Sequence, residues 1–136
     1  METLPLRLSP GADLRAALEA EVAARSHRAA FVISGIGSLS GARLRLASAR
    51  EPINLRDDLE ILTLTGTVAG NGSHLHISVA DSSGRVMGGH VAHGCIVRTT
   101  AEVLVLLLSE WSFDRELDPA TGFAELVVSR RGSHDA

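Results

Sequence analysis

The chain has 136 residues, enough for one ordinary domain with its own core and too few for two. Hydrophobic residues make up 45% and charged residues 21%, which excludes wholesale disorder. All 13 basic residues are arginine and 16 acids outweigh them, so the net charge of −3 lacks the footprint of an autonomous nucleic-acid binder. Leu4, Leu6 and Leu8 alternate with Pro5 and Arg7, a short edge strand. Ser9-Pro10 reads as a helix start, with Asp13 in the first turn and a stripe of Leu14, Leu18 and Val22 running to about Ser26.

Beyond this helix the apolar period shortens to that of strands. Ala29 to Ile33 is a strand closed by Ser34-Gly35-Ile36-Gly37-Ser38, and Ala42 to Leu46 alternates again. Arg56-Asp57-Asp58 is a turn before the strand formers Leu59 to Thr65. Gly70-Asn71-Gly72 turns the chain into His74 to Val79, and Asp81 to Gly84 turns it again into Arg85-Val86-Met87 and Gly88-Gly89. Cys95 to Thr99 and Val103 to Leu108 form one long strand or two pieces of it. The Leu-rich stretch could equally be a buried helix by periodicity, and its valines favour strand. Leu126 to Val128 is the last strand candidate, and the end of the chain reads as a flexible tail.

Val103 to Leu108 is apolar at every position, so both its faces ask for cover. One amphipathic helix can cover one face of a sheet; a second subunit, or a second helix not visible in the pattern, must cover the other. Cys95 is the single cysteine, so neither an intramolecular disulfide nor a cysteine-based zinc cluster can form within the chain. No signal-peptide pattern and no membrane-length apolar run is visible, which predicts a cytoplasmic, membrane-free protein. One Trp, three Phe and no Tyr make base or sugar stacking a poor basis for recognition.

His74-Leu75-His76 is the sharpest chemical feature. Residues i and i+2 of a strand project from one face, about 6 to 7 Å apart at their bases, so both rings can reach one metal ion. A hairpin through Asp81 to Gly84 would bring His90 back beside them, and three neutral imidazoles plus water make a zinc site. The competing reading is three polar histidines bonded to one another or to the backbone. His93 falls in a glycine-bounded loop and is read as solvated. Glu102 and Asp81 are candidate residues behind the metal ligands, although a strand-end ion pair suits Glu102 as well. Gly35-Ile36-Gly37 lacks the third glycine spacing and the following helix of a dinucleotide loop, and Ser34 and Ser38 lack a nucleophile elbow, so no catalytic or cofactor-binding residue is assigned.

In order along the chain, Pro10 to Leu14, Gly35 to Leu39, Asp58 to Gly66, His74 to Asp81, Gly88-Gly89-His90, Gly94-Cys95 and Thr99 to Glu102 resemble the signature of the "plants and prokaryotes conserved" (PPC) domain family. The resemblance implies a single domain over residues 1–136, its core at about 4–128 and a tail at 129–136. The implied class is α/β of the α+β type, a largely antiparallel sheet with flanking helices assembling as a homotrimer. It also implies metal binding through His74, His76 and His90, and an association with DNA or transcription that this chain, lacking an Arg-Gly-Arg-Pro core and a basic arm, would make weak or indirect. A trimeric binding module with a small ligand at a zinc ion is therefore expected, the alternative being an enzyme with zinc-activated water.

Overall fold

The computed structural model describes residues 1–132. Its elements run β1 (Glu2–Leu8), α1 (Leu14–Ala24), β2 (Ala29–Leu39), β3 (Ala42–Arg45), β4 (Ile53–Leu55), β5 (Leu59–Ala69), β6 (Gly72–Ala80), β7 (Val86–Val91), β8 (Val97–Leu107), β9 (Trp111–Asp118) and β10 (Phe123–Arg130). Eight strands form one sheet in the order β1-β8-β2-β5-β6-β7-β3-β4, and β9 and β10 form a separate two-stranded ribbon. All the pairings are antiparallel.

The helix covers one face of the sheet. Leu14 and Leu18 are fully buried, Val22 nearly so, and they join one core with Val32, Leu64, Leu75, Val103 and Val105. Burying each leucine contributes about 1.5–3 kcal/mol, which holds the helix where its own propensity would not. The flanking helices expected from the resemblance reduce to this single helix among the described residues. It begins later than Ser9-Pro10 suggested, and Asp13 is its N-cap rather than a first-turn acid. The backbone of residues 11–14 is committed elsewhere: Gly11 and Leu14 donate to Val97 and Cys95, and Val97 donates to Ala12.

Gly35-Ile36-Gly37 does not close β2 but lies inside it. Gly37 has φ +147°, and a Cβ there would lie 2.3 Å from the Thr100 carbonyl oxygen, so this glycine serves a close approach of β8. The stretch after Cys95 is one strand, β8, and strand rather than helix wins. It alternates in burial: Val103, Val105 and Leu107 face the core, while Leu104 is 38% exposed on the outer face.

Two strands escaped the sequence pattern. β4 has three residues, and β9 carries only two buried positions, Ser112 and Phe113. β9 nevertheless builds a second, small core on the outer face, where Phe113 packs on Ala29 and Ala69 and meets Phe31 edge-on at 5.7 Å. β10 runs to Arg130, two residues into the segment expected to be tail. Of the rest of that tail, residues 133–136, His134 among them, lie outside the described residues.

The Asp13 carboxylate ties α1 to the loop before β8, accepting from the Ala16 amide at 3.0 Å and from the Gly94 amide at 2.7 Å. Burial alone would raise its pKa, but those amides and the His93 ring outweigh it and hold the value below the usual 3.8. Because the folded value lies below the unfolded one, the stabilisation is complete above about pH 4 and fades as pH falls through the folded value. Asp13→Ala should cost about 1 to 2 kcal/mol in denaturant unfolding at pH 7, and its gap from the parent protein should narrow at pH 3. A gap that stays constant would show the carboxylate charge to be irrelevant.

Candidate metal centre

β6 alternates cleanly. Leu75, Ile77 and Val79 are buried beneath the sheet, which turns His74, His76 and Ser78 to its outer face. A tight turn then returns the chain. The Asp81 carboxylate accepts from the amides of Ser83 and Arg85 and from the Ser83 hydroxyl, and it pairs with the Arg85 guanidinium at 3.3 Å. Hydrogen bonding to the charged form, led by the Ser83 hydroxyl, holds its pKa at about 2. The resulting register sets His76 directly opposite His90.

Three imidazoles therefore converge, as the sequence predicted. His74 Nε2 lies 3.2 Å from His90 Nδ1 and 3.1 Å from His76 Nε2. One nitrogen of each ring falls within 4.8 Å of the others. His74 Nε2 has one lone pair or one proton to offer two neighbours, so hydrogen bonding alone serves the cluster poorly. Two nitrogens bound at 2.0–2.1 Å to a tetrahedral zinc stand about 3.3 Å apart, close to the separations seen. The donor set fits zinc.

Burial and then Arg115 lower the His74 pKa, with the other two rings adding to the effect; burial and then Arg45 lower that of His90. Both shifts favour the neutral ring, the form that binds metal.

The two carboxylates proposed for the site lie apart from the rings. Asp81 is committed to its turn. Glu102 is on β8, opposite Arg7 and Ile36, with β2 and β5 between its strand and β6. Threonines stand there instead, since Thr65 and Thr67 of β5 pair with His76 and His74. His93 lies outside the trio, 58% exposed and 3.6 Å from the Asp13 carboxylate, and His27 bonds the Arg25 carbonyl.

The sequence reading missed the arginines around the rings. Arg45 sits opposite His90, and Arg115 donates to Thr67 at 2.7 Å while its buried Nε has no hydrogen-bond partner among the described residues. Arg45 was legible as an outward residue of an alternating strand, but the β3–β7 pairing that brings it to His90 was not. Two cavities flank the trio. One of about 380 Å³ is lined by Thr63, Thr65, Ser78 and Gly88, the other of about 250 Å³ by Arg15, Arg45 and Arg50; His90 lines both.

An eight-stranded antiparallel sheet with one covering helix and an outward tri-histidine cluster defines a class of small domain. The chain belongs to the Plants and Prokaryotes Conserved domain family, whose model matches residues 1–109. A structure from Salmonella cholerae-suis is 36% identical and superposes with a TM-score of 0.92, covering 96% of this chain and 94% of that one. A metal-containing protein from Archaeoglobus fulgidus is 29% identical with a TM-score of 0.78, covering 93% and 94%. More distant structures share the fold, and some carry DNA binding in their names. Among curated proteins, the bifunctional protein GlmU of Synechococcus sp. (strain JA-3-3Ab) is 45% identical over 130 residues, which is 96% of this chain and 21% of that protein. The chain thus spans about a fifth of the length of the curated relatives it matches.

Gly66 keeps β6 in place behind the rings. Its φ is +151°, and a Cβ there would lie 2.1 Å from the His74 carbonyl oxygen. Gly66→Ala should lower stability by about 1–3 kcal/mol or more and shift the backbone at His74, read by thermal unfolding and by the His74 amide resonance. An unchanged resonance in a stable variant would refute the close-approach role.

Proposed function

We propose that this chain is a homotrimeric binding module in which His74, His76 and His90 hold one zinc ion and a small ligand takes the open position. The observation that carries this reading is the convergence of three imidazole nitrogens on one hairpin, His74 Nε2 lying 3.1 Å from His76 and 3.2 Å from His90. A bound zinc would supply a Lewis-acidic site for a donor atom of the ligand. The relative from Archaeoglobus fulgidus, described as metal-containing, supports the same assignment. Binding is favoured over hydrolysis by zinc-activated water because Glu102 and Asp81 stand apart from the rings, and Glu125, whose charge reaches His74, is also within electrostatic reach of Arg115.

The trimer would cover the rest of the outer face. Phe31, Ile33, Ile36, Leu62 and Leu104 remain exposed there or nearby, at 37 to 52%, and β9 shields only the Phe31 end. Contiguous exposed apolar residues of this kind mark association. The net charge of −3 leaves DNA as a weak or indirect partner. No helix among the described residues is long and apolar enough to cross a membrane, and we place the module in the cytoplasm. In the curated relatives the matching segment is a fifth of a longer chain, as suits a module that contributes binding or assembly to other domains.

Protein purified without a nickel column should contain one zinc per chain by elemental analysis. Light scattering should give three times 14.3 kDa. His76→Ala should lose the metal and His93→Ala should keep it, both with unchanged far-ultraviolet circular dichroism, because the rings lie outside the core cluster. Metal retained by His76→Ala but lost by His93→Ala would overturn the site, and a monomer at high concentration would overturn the assembly.

A further inference from the structure

The ladder between β6 and β7 starts at His76 opposite His90, so Ser73 to Leu75 run on without a β7 partner. At that point β7 pairs with β3, Leu44 opposite Val91 and Arg45 opposite His90. The strands part and leave the cavity of about 250 Å³, lined by Arg15, Arg45, Arg50, Ser73, His74 and His90 among others, and by no carboxylate.

Its charges are unevenly balanced. Arg15 pairs with Glu19 at 3.0 Å, and the same Glu19 oxygen accepts from the amide and hydroxyl of Ser73, so that arginine is neutralised. Among the described residues, the Arg45 guanidinium donates only to the backbone carbonyl of Ala49, at 3.2 Å. Arg50, on the exposed β3–β4 connection, makes no hydrogen bond or ion pair with the described residues. Two guanidiniums without a carboxylate partner among the described residues thus face a concave space whose other polar side chains are the neutralised Arg15, two imidazoles and a hydroxyl. On the far side of His74, Arg115 adds positive charge that Glu125 partly offsets.

We propose that this cleft is a binding site for a small oxyanion, a carboxylate or phosphate group, held by Arg45 and Arg50 beside the histidine trio. Guanidinium forks match such groups in geometry and charge, and the volume suits a compact anion better than a drug-sized or nucleotide ligand. His74 and His90 line the cleft and belong to the trio, so the bound group abuts the metal position. The metal-adjacent part of this assignment rests on the zinc reading, while the anion site itself rests on the arginines.

The test is calorimetric titration with inorganic phosphate and, separately, with succinate. It compares the parent protein, Arg45→Gln, Arg50→Gln and the control Arg85→Gln, each as purified and after chelator treatment, with zinc content measured throughout. The expected result is one anion per chain, weakened by about tenfold or more in Arg45→Gln and Arg50→Gln and unchanged in Arg85→Gln, with zinc content equal in all four. Tighter phosphate than succinate binding assigns the site to phosphate groups, and the reverse order to carboxylates. Equal affinity in all variants, or no saturable heat in the millimolar range, overturns the proposal. Arginine-dependent phosphate binding by a protein that holds no zinc would leave the anion site standing and defeat the metal reading alone.

Discussion

One helix of 11 residues has to cover a sheet of eight strands, and the placement of every other group follows from that constraint. Apart from the part of the outer face under β9 and β10, only one face of the sheet is dry by the chain's own means. Strand after strand therefore alternates, with Val32, Leu64, Leu75, Val103 and Val105 turned under α1 and their neighbours turned away. The histidines belong to the second set. Their solvent-facing position is a consequence of Leu75, Ile77 and Val79 claiming the core, since shifting β6 by one residue would exchange the two sets completely. The core that fixes the site does not include it.

The outer face is consequently a composite. At one end, β9 and β10 cover Ala29, Phe31 and Ala69 with Phe113. Farther along β2, β5 and β8, isoleucine and leucine side chains stand in solvent. Across the ladder from Phe31, whose partner Thr67 pairs in turn with His74, lie threonines, histidines and arginines. The ribbon reaches these polar residues as well. Asn71 exchanges two hydrogen bonds with the Arg115 backbone, at 3.0 and 2.8 Å, and the Arg115 guanidinium bonds Thr67, the residue paired with His74. β9 and β10 lie beyond the stretch matched by the family model, yet one arginine of that ribbon acts electrostatically on a ring of the trio.

How much of this was legible depends on the range of the interaction. The two histidines on one strand face follow from a period of two, and His90 follows from a turn whose Asp81-Ser82-Ser83-Gly84 sequence is built for its own hydrogen bonds. These are local facts and the sequence carries them. The start of α1 is not local. Ser9-Pro10 is a good opening in isolation, but the Gly11 and Leu14 amides find partners on the chain around β8, some 80 residues away, and Asp13 takes over the cap. Gly37 was mistaken for punctuation because a close approach to Thr100 leaves no mark in its neighbourhood. β9 stayed hidden because two buried residues in eight make no period.

The same division explains why the histidines were found and the arginines were not. Imidazoles in a His-x-His pattern announce themselves through side-chain chemistry and spacing. An arginine is read by default as a solvated charge, and that default holds for Arg85, paired with the nearby Asp81. It fails for Arg45 because its surroundings come from five segments: its own strand β3, β7 across the ladder, the start of β6, α1 through Arg15 and the connection carrying Arg50. What changes the reading is the missing counter-charge. In a chain with 16 acids, a cleft where Arg45 and Arg50 have no carboxylate partner among the described residues, and only Arg15 is met by Glu19, is a local inversion of the overall charge. Repulsion among close positive groups opposes folding, so such a cluster makes physical sense where something negative completes it. The imidazoles of His74 and His90, whose surroundings favour the uncharged ring, suit that arrangement because they add hydrogen-bonding groups with little positive charge of their own.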